Sequence, residues 1–168
     1  MKSKVGLKDR KAVDRALKKL KEANTRFSGP DVVRVGLPKG SGDYPSPPGN
    51  KIGAPPTPVI MVGIVHEFGY PEKNIPERSF LREPLKTNRK KYTKIIGKLA
   101  DKILADKITK KQSLQTLGEI FQGDVIERIN SGITPALKNP SKKRGANPTP
   151  LHDTGHLIQS IRYQIGDK

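Results

Sequence analysis

Several stretches of the chain bring together side chains of types that can do chemistry. His66-Glu67 begins like the helix of a zinc protease, in which two histidines one turn apart share the metal and the glutamate acts as general base. That chemistry needs a second histidine three residues after the glutamate, and position 70 is Tyr. His152 and His156 lie four apart with Asp153 between them, a spacing that can hold a metal on one helix face. His152 would precede the helix start, however, and no third ligand stands nearby in sequence. The run GLPKGSG at 36–42 follows a strand pattern and superficially resembles a phosphate loop. It lacks the G-x-x-x-x-G-K-[ST] order, because Lys39 precedes Gly40 and no lysine follows. Tyr44, Tyr70, Tyr92 and Tyr163 are too scattered to form a stacking platform for bases, and no RNP-like or zinc-knuckle motif is present. No nucleophile–base pair or carboxylate dyad is identifiable. The sequence contains no cysteine, which excludes thiol chemistry and a disulfide framework. The expectation is a protein with no catalytic residue, no metal and no cofactor.

Lysine and arginine dominate the remaining chemistry. The formal net charge is +17 over 168 residues, which calls for a polyanionic neighbour or an acidic protein partner. The charge is unevenly placed. Residues 2–26 hold ten Lys/Arg against three acids, residues 86–111 ten against two, and residues 138–144 four against none. The segment 113–133 is close to balanced, so two basic helical stretches flank a more neutral one. The bland reading is that such runs are solvated helix faces. With hydrophobic content of 33% and aromatic content of 5%, the core must be small, and part of the chain is expected to order only against partners. One domain is expected from the length. No run approaches the roughly 18–20 apolar residues that span a bilayer, and the basic N-terminus lacks the apolar segment of a secretion signal.

The elements that position these groups are organised around residues 57–85. Thr57 reads as a helix cap and Pro58 as the first helical residue, where no N–H is needed. An apolar run over 59–65 follows, and Gly69 stands where a helix stops in a left-handed residue. The β-branched residues in that run favour a strand; the capping signals outweigh them, and a short buried helix is expected over 58–68. Glu67 is then expected to accept hydrogen bonds from backbone N–H groups of the following turn, or to pair with Arg78. Residues 9–25 read as an amphipathic helix with Val13, Ala16, Leu17 and Leu20 on one side and Asp9 as cap, either a core element or an N-terminal arm of about 1–28. Residues 31–37 alternate as a strand, and 38–57 form a long Pro/Gly/Ser-rich loop. The longest helical pattern runs over 79–107, with Pro84 tolerated in its first turns. Thr109 and Gln112 form a capping box that opens a second helix over about 110–130, expected to be the best buried. Residues 134–150 are again loop, and basic. Asp153 is expected to cap a short helix over 154–160, with Gly155 letting another backbone approach and Leu157 and Ile161 anchored in the core. Residues 161–165 alternate as a strand expected to pair with 31–37. The fold class is α+β: a small antiparallel sheet packed against two long helices, in one domain over 29–168.

Two parts of this pattern carry a resemblance. The apolar segment ending in His66-Glu67-Phe68-Gly69, followed by Ile75-Pro76-Glu77-Arg78-Ser79-Phe80-Leu81, resembles the "EFG … PxRPFL" signature of neck and tail-completion proteins of tailed bacteriophages. Leu151-His152-Asp153-Thr154-Gly155-His156-Leu157, with Ser160, Ile161 and Tyr163, resembles the "L-x-DTG-x-L-x-x-SI-x-Y" ending of the same family. The likeness covers roughly 30–166. It departs at Ser79, where the family often has proline, and in ending soon after Tyr163, where relatives commonly continue into another strand.

The resemblance implies a structural virion protein that joins head to tail as a ring, a hexamer or dodecamer, around the path of double-stranded DNA. It would contact neighbouring connector or tail proteins, touch no membrane, and be assembled in the host cytoplasm. Glu67, Gly69, Arg78, Phe80, Asp153, Gly155, Leu157 and Ser160 would be its structural motif positions. Lysine-borne phosphate contacts are independent of sequence and weaken steeply with salt, which suits a channel that must let DNA pass without gripping it. The expected lumen residues are Lys138, Lys142, Lys143 and Arg144, in a loop free of compensating acids, or else the helix face with Arg89, Lys90 and Lys94. The competing expectation, for which charge alone serves, is a free sequence-independent nucleic-acid-binding protein.

Overall fold

A computed structural model describes residues 7–30, 32–44, 56–136, 150–151 and 155–166. The architecture is α+β. Helix α1 (Leu7–Arg26) leads to strand β1 (Val32–Gly36), a short strand β2 (Asp43–Tyr44) and its partner β3 (Thr57–Pro58). Helices α2 (Val59–Phe68), α3 (Arg82–Thr87), α4 (Arg89–Leu104) and α5 (Lys110–Asn130) follow. A short helix α6 (His156–Ser160) and strand β4 (Arg162–Gly166) complete the body. β1 pairs antiparallel with β4, Val32 opposite Gly166 and Val35 opposite Tyr163. A two-stranded ribbon is marginal alone. Here it lies on α5, where Gly118 admits the Tyr163 ring and Val33: a methyl at Gly118 would sit 2.7 Å from that ring.

Among the described residues the core centres on a cluster of Val59, Phe80, Val125, Ile129, Ile133, Leu157 and Ile161, and Tyr92, Leu99 and Ile103 of α4 are also buried. Few elements supply the cluster, as a thin composition allows. α5 contributes Val125 and Ile129, α2 Val59, α6 Leu157. α5 begins in the capping box expected from Thr109 and Gln112, with the Gln112 N–H donating to Thr109 Oγ1 at 3.2 Å and the Thr109 N–H to Gln112 Oε1 at 2.8 Å.

Several expectations need correction. Thr57 does not cap α2. It pairs with Tyr44 in the β2–β3 ladder, Pro58 holds the cap position, and the Val59 N–H donates to the Gly42 carbonyl at 3.1 Å. The loop 38–57 therefore contains strand residues; 45–55 lie outside the described residues. The helix over 79–107 is two helices broken at Asn88, whose amide donates to Asp124 at 3.4 Å. α1 starts at Leu7, which puts Asp9 inside it rather than at its cap. α6 begins at His156, after Gly155 with φ 73°. Gly155 suits that backbone angle, and among the described residues no close approach requires it, the nearest atom lying 3.6 Å from an added methyl. Asp153 and the loop 137–149 lie outside the described residues.

Candidate functional site

The last turn of α2 carries Glu67, only 3% exposed, and the chain then doubles back so that residues 79–82 meet its carboxylate. The reversal depends on Gly69, with φ 75°, where a methyl would sit 2.8 Å from the Glu77 nitrogen. A small bridge between Tyr70 and Ile75 closes the turn. Glu67 Oε2 accepts from the Phe80 N–H at 2.8 Å and the Leu81 N–H at 2.9 Å. Oε1 accepts from the Ser79 hydroxyl at 2.8 Å, the Arg82 N–H at 3.1 Å and Arg82 Nε at 2.8 Å. Burial alone would raise the carboxyl pKa, but the Leu81 N–H, the Arg82 side chain and the Ser79 hydroxyl outweigh it and hold Glu67 below its ordinary value. Both oxygens are saturated by internal donors. Glu67 thus fixes the entry to α3 from a different element.

Arg82, not Arg78, is the arginine that pairs with Glu67. Its guanidinium also donates to the Glu67 carbonyl at 2.9 Å and to Glu77 at 2.8 Å, and lies 4.4 Å from the centre of the Phe68 ring. Hydrogen bonding to Glu67 raises its pKa. Arg78 is buried and turns the other way. Its Nε donates to the Pro135 carbonyl at 2.8 Å and its terminal nitrogen to the Ala136 carbonyl at 3.4 Å; desolvation lowers its pKa. Arg78 thereby ties the root of the basic loop to the turn after α2. Sequence spacing alone does not contain the chain reversal that brings Arg82, the first residue of α3, to Glu67 and turns Arg78 away.

The two motif segments meet. Phe80, Leu157 and Ile161 share the core cluster, and α2 packs beside α6. Ser160 donates to the Ser41 carbonyl at 3.3 Å, and Tyr44 and His156 place their rings 5.7 Å apart. The surroundings of 41–44 are thus fastened to the second motif segment.

The basic candidates divide. Lys138, Lys142, Lys143 and Arg144 lie outside the described residues. Arg89, Lys90 and Lys94 are exposed on α4, and no ion pair joins them to a described residue. Lys90 and Lys94 continue at the same four-residue spacing into Lys98 and Lys102, all exposed. Like charges at i, i+4 weaken a helix, a local cost that nearby negative charge would offset. Lys91 stands apart: it grips Asp124 at 2.7 Å, beside the Tyr92 hydroxyl at 2.7 Å from the same carboxylate. Burial and then Asp124 push the Tyr92 pKa up.

Compared with known proteins, the chain matches no family model, no curated protein and no solved structure. No described helix is long and apolar enough to cross a membrane.

Proposed function

We propose that this chain is a structural subunit of a tailed-bacteriophage virion, forming a ring at the head–tail junction or the upper end of the tail, with DNA passing through its lumen. The observation that supports the reading is convergence. The segment around Glu67 and Phe80 and the segment around Leu157 and Ile161, far apart in sequence, build one core. These are the two segments that carry the family resemblance. Val125, Ile129 and Ile133, from α5 and the turn after it, complete that core.

The lysine ridge on α4 fits an electrostatic lining for DNA: positive, lacking stacking aromatics, and dependent on salt. The same ridge would serve a free nucleic-acid-binding protein, and assembly separates the two. Native mass spectrometry and electron microscopy of the purified chain, with duplex binding measured against salt, form the test. Closed oligomers with weak, salt-labile DNA binding by the subunit are expected. A monomer that holds duplex DNA at micromolar or tighter affinity in low salt would overturn the reading in favour of the free binder.

A further inference from the structure

Helix α1 is amphipathic, yet every residue from Arg10 through Glu22 is exposed. Its contacts are at its C-terminal end, where the Arg26 guanidinium donates to the Leu104 carbonyl at 2.6 Å and Lys110 donates to the Gly29 carbonyl at 3.2 Å. The rest projects as an arm on a helix about 30 Å long. Val13, Leu17 and Leu20, at i, i+4 and i+7, are 49–66% exposed. Helices are held mainly by packing of an apolar face, and nothing among the described residues covers this one.

A second uncovered stripe lies on α2. Met61, Ile64 and Phe68, at i, i+3 and i+7, are 54%, 50% and 59% exposed. Charge distinguishes it from the other places an apolar arm could dock. Residues 7–26 hold eight Lys/Arg against three acids, and α4, which exposes Ile96 and Leu104, holds six against one. Pairing the arm with a second arm, or with α4, sets like charges together. In residues 57–85 Glu67 and Arg78 are buried, which leaves Glu72, Glu77 and Glu83 against Lys73 and Arg82 toward solvent. Glu77 sits beside Phe68 through their shared partner Arg82, and Glu72 is exposed next to Tyr70.

We infer that the α1 arm of one copy docks through Val13, Leu17 and Leu20 onto the Met61–Ile64–Phe68 face of α2 in a second copy. The two surfaces differ, so the contact is head-to-tail and repeats from copy to copy, closing into a ring when the rotation closes. The docking deepens the ring reading above and rests on it for closure.

Two variants test it. Leu17→Asp with Leu20→Asp spoils the arm; Met61→Asp with Ile64→Asp spoils the face. All four positions are exposed, and unchanged thermal unfolding of the body verifies the fold. In light scattering after size exclusion, wild type is expected as an oligomer and each variant alone as a monomer. A one-to-one mixture retains one good arm–face contact per pair and is expected to give a dimer, a twofold rise in mass with nothing larger. Variants that assemble like wild type would overturn the docking and leave the ring reading standing. One variant that stays monomeric while the other still self-associates would point to arm–arm or face–face pairing, and monomeric variants that stay monomeric when mixed would mean that arm and face do not meet; either result also overturns it. Wild type that remains monomeric at its highest soluble concentration would defeat the ring reading and the docking together.

Discussion

Replacing Glu67 by glutamine keeps the shape of the side chain and removes one acceptor and the charge. The carboxylate serves five donors, two on Oε2 and three on Oε1. An amide at this position offers a single oxygen, so one set of donors faces an NH2 group whichever way it turns. At least two donors then lose their acceptor. A buried donor left unsatisfied costs about 1–3 kcal/mol, which puts the loss for Glu67→Gln at about 2–6 kcal/mol against a typical total of about 5–15. The assay is urea unfolding at neutral pH. The pH dependence supplies a second reading. Because Glu67 titrates below its ordinary 4.5 in the folded chain, its ionised form adds stability that is complete above the unfolded value. That stability is lost as pH falls through the folded value. The gap between wild type and Glu67→Gln is therefore expected to narrow under acid. A loss below about 1 kcal/mol at neutral pH, where the unsatisfied donors alone exceed that figure, or a gap that widens on acidification, would refute the argument.

Glycines offer a matched pair. Gly97→Ala, where an added methyl meets nothing within 4 Å, is expected to raise stability by about 0.5–1 kcal/mol, whereas Gly118→Ala drives a methyl into the Tyr163 ring and is expected to lower it by about 1–3 kcal/mol; denaturant midpoints decide both signs. Lys94→Gln relieves like-charge spacing with Lys90 and Lys98. It should steady α4 by a few tenths of a kcal/mol per relieved pair at low salt while lowering the logarithmic salt slope of duplex binding by about 0.9; an unchanged slope in anisotropy titrations would remove the ridge from the DNA path. Deleting 162–166 takes away the partner of β1 and is expected to abolish cooperative melting in calorimetry, and retained melting would mean that β1 pairs elsewhere.

Local signals are legible where they are self-contained. The α5 capping box is complete within four residues, and the alternation in 31–37 and 161–165 needs only a partner of matching length. Elsewhere distant groups decide. The start of α3 is set by a carboxylate on α2, 15 positions before Arg82 in the chain, which no local cap rule contains. Asn88 breaks the long helix beside Asp124 of α5, a contact across 36 positions. Thr57 loses its capping role to the Gly42 carbonyl and to pairing with Tyr44. Glu67 itself is legible as an acceptor of turn N–H groups. Its arginine is not, because Arg82 reaches Glu67 only through the chain reversal that sets the start of α3, while Arg78 in the preceding segment turns to the Pro135 carbonyl.

The pairing of β1 with β4 also has a kinetic side. These strands are separated by nearly the whole folded body, Val32 meeting Gly166, while the helices between them need mainly nearby residues. Chain closure of that span comes late, since distant pairings must overcome loop entropy before they gain contacts. During synthesis at about 5–20 residues per second, β1 waits on the order of ten seconds before its partner has been made. Throughout that interval its N–H and C=O edge is open to another nascent chain. Only five residues long, with Arg34 exposed at its centre, β1 offers a short and charged template, a strand suited to waiting.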